Sequence, residues 1–231
     1  MEAHQRILSF VNELRKSILA LGILILCGSI GFYLISPVLL HNLQGHLNQQ
    51  LAFFSVAEPF LSQAKLAFFV TLFVVMPFTL YCFWKALAKP FGLSNGTRNW
   101  FIIFTCLLFY SGASFCYFIT LPFGVKFLLG FQSTQLKPII SVEKFVTFVT
   151  MFILAFGIIF QLPVFMIFSA KTGLCPRQVF EKNRRYAVLA ICIVAALLTP
   201  TPDVVNMLLM GGPLYLLYEI GILVLKVLRI K

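Results

Sequence analysis

The chain has 231 residues, of which 60% are apolar and 11% charged, and its formal net charge at pH 7 is +11. A soluble domain of this size would have too little polar surface to cover so much apolar material. The composition therefore excludes an ordinary soluble protein and indicates a membrane protein. Because the basic residues are dispersed over several connections, a membrane explains the charge and no nucleic acid is expected as a partner.

Six apolar stretches of roughly bilayer length predict transmembrane helices. They cover residues 17–36, 66–87, 100–121, 145–169, 186–198 and 204–225. In lipid each backbone N–H and C=O must be satisfied within its own segment, and the alternating polarity of membrane strands is missing. The sequence thus predicts an all-α integral membrane protein with six spans in a single domain, residues 1–231.

The Lys and Arg residues are distributed unevenly between the two sides of the predicted membrane. Fourteen of the eighteen lie on one set of connections, here called the basic side: Arg6, Arg15, Lys16, Lys85, Lys89, Arg98, Lys171, Arg177, Lys182, Arg184, Arg185, Lys226, Arg229 and Lys231. The remaining four, on the opposite side, are Lys65, Lys126, Lys137 and Lys144. Basic loops stay in the cytoplasm, so both termini are predicted to be cytoplasmic, with a bacterial inner (plasma) membrane as the simplest location and an organellar membrane left open.

Glu13 is the first notable polar residue, just before the first span on the basic side. Its carboxylate can bind guanidinium groups of a partner, or pair with Lys16 three residues later. After the span, leucines recur at helical spacing in residues 38–64 and predict a short amphipathic helix on the opposite surface. The chain then turns at Glu58-Pro59, a pair that suits a helix start.

Prolines 77, 163 and 213 lie inside predicted spans and are expected to bend them, giving a curved bundle with a concave face. Gln161 in the fourth span needs a hydrogen-bond partner, supplied either by the bundle itself or by the helix of another protein. The fifth span is short, because only about 13 residues separate Arg185 from the break at Thr199-Pro200, or roughly 20 Å of helix.

Two acids follow in the last third of the chain. Asp203 precedes the sixth span, where an N-cap explains it as well as a functional role does. Glu219 lies within that span and needs a partner or a proton, and its nearest basic neighbours are Lys226 and the loop with Arg184 and Arg185. No nucleophile–base pair, metal cluster or cofactor motif is present, so no enzyme is predicted and no cofactor.

Several ordered motifs resemble the TatC family, the core subunit of the twin-arginine protein translocase. The stretches that carry the resemblance are Phe10-Val11-Asn12-Glu13-Leu14-Arg15, Glu58-Pro59-Phe60, Phe109-Tyr110-Ser111-Gly112, Leu162-Pro163-Val164, Arg184-Arg185-Tyr186, Leu198-Thr199-Pro200, Pro202-Asp203-Val204, Pro213 and Tyr218-Glu219. They extend from about residue 8 to 225.

The resemblance implies a six-helix, cup-shaped receptor with short fifth and sixth helices. It would bind the paired arginines of a signal peptide on a folded cargo protein, through Glu13 with Arg15, Asn95 and Arg98 beside it. Partners would be TatA- and TatB-like single-span proteins and further copies of the chain within a receptor complex, with export driven by the proton-motive force. The alternative from a different class is a small-solute transporter or channel subunit.

The sequence departs from the family pattern at three positions. The loop at residues 92–98 has no acid where the family usually has a second glutamate, so either recognition is looser in this chain or Asn95 and backbone carbonyls substitute for the carboxylate. Gln161 replaces a glutamate, which preserves hydrogen bonding without charge. Met207 stands where relatives can have a polar residue. With Pro163, these two residues form the predicted contact for a partner helix.

Overall fold

The structure, a computed structural model, describes residues 2–47, 51–88, 90–129, 140–198 and 204–228, with the backbone alone at 2–16. Ten α-helices and two short strands are found among them. The helices are α1 (Glu2–Tyr33), α2 (Ser36–Leu47), α3 (Glu58–Ala88), α4 (Asn95–Phe115), α5 (Leu121–Leu129), α6 (Val142–Ile159), α7 (Leu162–Lys171), α8 (Arg177–Lys182), α9 (Arg184–Leu198) and α10 (Val204–Val227); the strands are β1 (Leu51–Ala52) and β2 (Ile140–Ser141).

The predicted class, an all-α membrane protein, is confirmed. Within the described ranges, four helical stretches are long and apolar enough to cross a bilayer: Glu58–Ala88, Asn95–Lys126, Val142–Lys171 and Met210–Val227. A fifth is obtained if Ser17–Tyr33 and Ser36–His46 count as one span with a bend of 72°. The number six, the positions of the termini and the cup-like curvature stay predictions.

The chain bends sharply between α1 and α2. Pro37 near the start of α2 has no N–H to continue the α1 ladder, and the Ser36 hydroxyl donates a hydrogen bond of 2.8 Å to the Tyr33 carbonyl. The predicted helix in residues 38–64 is therefore present as α2, but it ends at Leu47. Leu51, predicted to continue that pattern, instead forms β1.

The chain divides into two compact units, one of residues Met1–Cys106 and Leu121–Leu154, the other of Leu107–Thr120 and Ala155–Lys231. In the first unit α1 packs on α3, and the close approach needs Gly28, because a Cβ there would lie 2.6 Å from Thr71 Cγ2. Leu66, Val142 and Val146 form a buried cluster under α2 and β1.

The core of the second unit contains the end of α4 and helices α7 to α10. Phe109 and Phe156 are fully buried, and a Cβ at Gly157 would lie 2.6 Å from the Phe109 ring. Helix α10 packs against α7, where a Cβ at Gly221 would meet Met166 Sδ at 2.7 Å. Glycine is thus required at helix crossings in both units.

The prolines act differently from one another. The expected interruption occurs at Pro163, where α6 ends at Ile159 and α7 begins at Leu162. Helices α3 and α10, by contrast, continue through Pro77 and Pro213. A π-helical turn at Cys116–Thr120 is followed by α5, which begins at Leu121 with Pro122 in its first turn, a position that tolerates proline.

The lengths of the last two helices correct part of the prediction. Helix α9 has 15 residues, about 22 Å, and is short as expected. Helix α10 has 24 residues, about 36 Å, and is therefore not short. The resemblance to the family was the source of that expectation, and the uninterrupted apolar sequence around Pro213 accounts for the greater length.

Candidate functional site

Glu13 and Arg15, the first two predicted signal-binding residues, lie on α1 before the first predicted span. Helix α1 begins at Glu2, so the segment ahead of the span is helical. The side chains at residues 2–16 are outside the described part of the structure. The predicted contacts of Glu13 and Arg15, including the alternative pair with Lys16, therefore stay predictions.

The connection that holds Asn95 and Arg98 is a tight turn between α3 and α4. Gly92 has a φ of +60°, which favours glycine. The Ser94 hydroxyl accepts a hydrogen bond of 3.3 Å from the Thr97 N–H and thus caps α4. Asn95 is exposed and Arg98 is half-buried, with Arg98 Nη2 3.5 Å from Asn99 Oδ1.

A buried tryptophan that the sequence analysis did not select fixes this turn from below. Trp84 on α3 donates from Nε1 to the Thr105 hydroxyl at 2.9 Å. Its ring stacks on Phe101 of α4, with the ring centroids 4.6 Å apart. A buried indole N–H needs an acceptor, so a tryptophan near the end of one span and a threonine in the next were the signal that could have revealed this contact.

Gln161 and Pro163 lie together at the break between α6 and α7, and Met207 lies on the first turns of α10. Gln161 is buried, and its Nε2 donates to the Gly157 carbonyl at 3.1 Å. The amide therefore stabilises the end of its own helix. Pro163 is also buried, whereas Met207 is only partly buried.

Glu219 has the partner that its position in α10 requires. Its Oε2 is 3.1 Å from Arg184 Nη2, and its Oε1 accepts a hydrogen bond of 3.1 Å from the Tyr215 hydroxyl. Of the three predicted partners, Arg184 is confirmed. Lys226 instead pairs with Glu181 at 3.6 Å, and Arg185 lies 4.9 Å above the Tyr186 ring.

On the opposite side, Glu58 starts α3 and joins two connections. Its Oε2 accepts the Phe54 N–H at 2.9 Å, and its Oε1 accepts the Ser141 hydroxyl at 3.3 Å. Strands β1 and β2 pair in parallel beside it. Two turns further along α3, Lys65 forms an ion pair with Glu143. Pro59 and Phe60 follow Glu58 in the first turn of α3.

The remaining candidate is Asp203, which lies outside the described residues, so its N-cap role stays a prediction. Within the described ranges, no group of three or more His, Cys, Asp or Glu side chains is placed to hold a metal ion. The six cysteines are free. The polar groups of the two units are therefore arranged as caps, ion pairs and hydrogen bonds between helices.

Long apolar helices that are fastened by a few polar pairs, with most charge on the basic side, define a multi-pass membrane protein. Its polar residues are suited to recognition and assembly. Residues 9–213 match the family model described as Sec-independent protein translocase protein (TatC). The chain belongs to the TatC family and is a component of the Sec-independent protein translocase, a non-enzymatic transport system.

Curated relatives and solved structures agree with this assignment. The TatC protein of Carboxydothermus hydrogenoformans is 33% identical over 96% of this chain and 93% of the relative. That of Aquifex aeolicus is 34% identical over 92% and 91%. A crystal structure described as the twin arginine translocase receptor TatC in DDM has a TM-score of 0.81 and 30% identity, covering 93% of this chain and 98% of that one. The alternative of a small-solute transporter or channel subunit is not supported.

Proposed function

We propose that this chain is a receptor for twin-arginine signal peptides, with six spans and both termini in the cytoplasm of a bacterial cell. The observation that carries the proposal is the position of Glu13. It lies on the helical extension of α1, four residues before the first span, and inside the stretch that matches the family. The similar solved proteins are described as twin arginine translocase receptors.

The pairing of the other carboxylates supports this choice. On the basic side, Glu219 binds Arg184 and Glu181 lies 3.3 Å from Arg177 and 3.6 Å from Lys226. The chain has seven acids, and Glu58 and Glu143 are on the opposite side. Asp203 follows the fifth predicted span on the opposite side, and Glu2 lies at the far start of α1. Glu13 is thus the amino-terminal acid beside the span, where its carboxylate can bind an incoming guanidinium group through two parallel hydrogen bonds.

Asn95 and Arg98 form the second half of the proposed site. The turn at residues 90–94 is held by the cap at Ser94 and by Trp84 below it, so the exposed Asn95 amide has a defined position. A neutral amide oxygen can accept one hydrogen bond from an arginine in place of the family's carboxylate. Arg98 adds positive charge, which favours a carbonyl or another anionic group of the signal segment over a second arginine.

Replacing Glu13 tests the proposal. Glu13→Gln should weaken photo-crosslinking of a twin-arginine signal peptide to membrane vesicles that contain the chain by about tenfold or more, because a charged hydrogen bond is lost (about 1.4 kcal/mol or more). Glu2→Gln on the same helix is the matched control and should bind normally. Equal crosslinking in the two variants would remove Glu13 from the role.

Terminal reporters test the orientation on which the site depends. A reporter fused before Glu2 and one fused after Lys231 should both report the cytoplasm, since the positive charge on the basic side retains these segments there. An amino terminus on the far side would place Glu13 in the wrong compartment and overturn the proposal.

We also propose that single-span partners of the TatA and TatB kind contact the region of Gln161, Pro163 and Met207, and that several copies assemble. Met207 is the most accessible of the three residues. A photo-reactive amino acid at Met207 should therefore crosslink to a partner helix. The control is the same amino acid at the exposed Leu223, near the other end of α10, which should not crosslink to that helix. A crosslink at Leu223 alone would place the contact elsewhere on α10.

A further inference from the structure

An exposed aromatic segment lies between β1 and the first turn of α3. This segment, residues 53–60, is here called the aromatic tip. Phe53 is 66% exposed, Phe54 67%, Val56 100% and Phe60 60%. Glu58 is the one charged residue in 53–60, and its carboxylate accepts hydrogen bonds from the Phe54 N–H and the Ser141 hydroxyl. A cluster of exposed apolar side chains of this kind marks a contact with a membrane or another protein.

The backbone of the aromatic tip is held in place. Glu58 Oε2 accepts the Phe54 N–H at 2.9 Å, and the Ser55 hydroxyl accepts the Ala57 N–H at 3.3 Å. The Glu58 N–H donates to the Ser55 carbonyl at 3.2 Å. These bonds fix the path of the backbone that carries the aromatic side chains. They also satisfy backbone donors that would otherwise resist transfer into a less polar medium.

The position of the aromatic tip relative to the spans indicates lipid as its occupant. The Phe60 ring packs edge-on against Tyr33, with the centroids 5.9 Å apart. Tyr33 ends α1, and Phe60 lies in the first turn of α3, so this pair marks the same end of two membrane helices. Aromatic side chains at the ends of spans lie at the boundary between hydrocarbon and headgroups.

The bend before α2 adds a second geometric argument. Helix α2 leaves α1 at 72°, so if α1 crosses the bilayer close to its normal, α2 lies more nearly along the membrane surface than across it. We propose that the aromatic tip inserts into the bilayer interface on the side opposite the termini and anchors the outer end of α3 there. The surface it contacts is phospholipid, and a second copy of the chain or a protein partner is the alternative that the test excludes.

Spin labels show directly whether lipid, water or protein surrounds the aromatic tip. In a variant with alanine at all six cysteines, Phe54→Cys and Val56→Cys are labelled with a nitroxide, and the full chain is placed in vesicles of phosphatidylethanolamine and phosphatidylglycerol. Accessibility to oxygen, which concentrates in lipid, is compared with accessibility to a water-soluble nickel chelate. Labels at the exposed positions Ile103→Cys, inside a span, and Gln178→Cys, on α8, serve as the lipid and water references.

Each outcome decides the question. The labels at Phe54 and Val56 should be more accessible to oxygen than to the nickel chelate, as the Ile103 label is. A ratio of the two accessibilities between those of the Ile103 and Gln178 labels is also expected for a tip in the interface. Nickel accessibility equal to that of the Gln178 label would show a tip in water and overturn the proposal. Low accessibility to both reagents would show a tip covered by protein and would overturn it too. Two sites are labelled so that, if one variant fails to fold, the other still provides the measurement.

Glu58 provides an independent measurement. Glu58→Ala removes the acceptor of the Phe54 N–H, so a Val56 label should become more mobile and shift toward the water reference. Glu58→Gln retains an amide oxygen as acceptor and should remain near the parent. If the Val56 label has the same accessibility in the parent, in Glu58→Ala and in Glu58→Gln, Glu58 does not position the tip.

Discussion

Gly28 on α1 faces Thr71 on α3. Because glycine has a hydrogen where other residues have a Cβ, α1 and α3 can approach closely at this point. The Thr71 hydroxyl donates to the Ala67 carbonyl of its own helix at 2.7 Å. The Thr71 methyl group is therefore turned toward α1. Without a hydrophobic driving force in lipid, close contact of this kind is what holds helices together. The glycine is visible in the sequence, but its partner is visible only in the structure.

Gly28→Ala should lower stability by about 1–3 kcal/mol, because the new Cβ would lie 2.6 Å from Thr71 Cγ2 and force the helices apart. Thermal unfolding in detergent measures the change. Gly22→Ala is the matched control on the same helix, since nothing lies within 4 Å of its Cβ. Adding Thr71→Ser to Gly28→Ala should recover part of the loss, and no recovery would contradict the proposed clash.

The Arg184–Glu219 pair is the second prediction at this scale. Both side chains are partly exposed, so the coupling free energy in a double-mutant cycle of Arg184→Gln and Glu219→Gln should be modest, about 0.5–1 kcal/mol. Unfolding of the two single variants and the double variant measures this coupling, and a value near zero would show that the pair adds nothing. The Arg177–Glu181 pair, four residues apart on α8, is the reference for an ion pair within one helix.

At the scale of elements, polar contacts near the ends of spans position the connections that carry candidate function. Trp84 and Thr105 hold α3 to α4 below the turn with Asn95 and Arg98. Glu58 and Ser141 hold the start of α3 to β2 on the other side. Apolar runs of bilayer length predicted the spans, and Glu58-Pro59 predicted a helix start. These contacts involve residues far apart in the sequence, so periodicity could not reveal them.

Thr105→Val should cost about 1–3 kcal/mol, since it leaves the buried Trp84 N–H without the hydroxyl acceptor while preserving the shape of the side chain. Combining it with Trp84→Phe should cost less than the sum of the two single changes, because the donor is then absent. Chemical unfolding followed by circular dichroism provides the measurement. Additive losses would show that the hydrogen bond contributes little. Thr79→Val on α3, whose hydroxyl bonds only its own helix among the contacts described, is the control.

At the scale of the whole molecule, the connection that precedes α3 and the connection that precedes α6 are joined. Strands β1 and β2 lie almost 90 residues apart in sequence and pair in parallel, with Leu51 opposite Ile140 and Ala52 opposite Ser141. The Lys65–Glu143 ion pair and the buried Leu66, Val142 and Val146 continue this contact below the strands. Two segments that the sequence presented as separate connections therefore form one structural feature.

A disulfide crosslink tests this junction. In a cysteine-free background, Leu51→Cys with Ile140→Cys should crosslink readily under mild oxidation, because paired strands bring Cα atoms about 5 Å apart, within the range that a disulfide spans. Gel mobility with and without reductant measures the yield. Val56→Cys with Ile140→Cys should react poorly, since Val56 lies beyond the end of β1 and is not paired with β2. Equal yields would contradict the register.

The sequence by itself determined the class, the approximate spans, the basic side and the family, because hydropathy, charge and ordered motifs are local properties of the chain. It also correctly placed Arg184 near Glu219, since a carboxylate in an apolar helix requires a cation. Only the tertiary structure decided the 72° bend, the β1–β2 pairing and the Trp84–Thr105 contact. Each of these depends on which distant side chains and backbone groups meet, and that is fixed by packing, which no local pattern records.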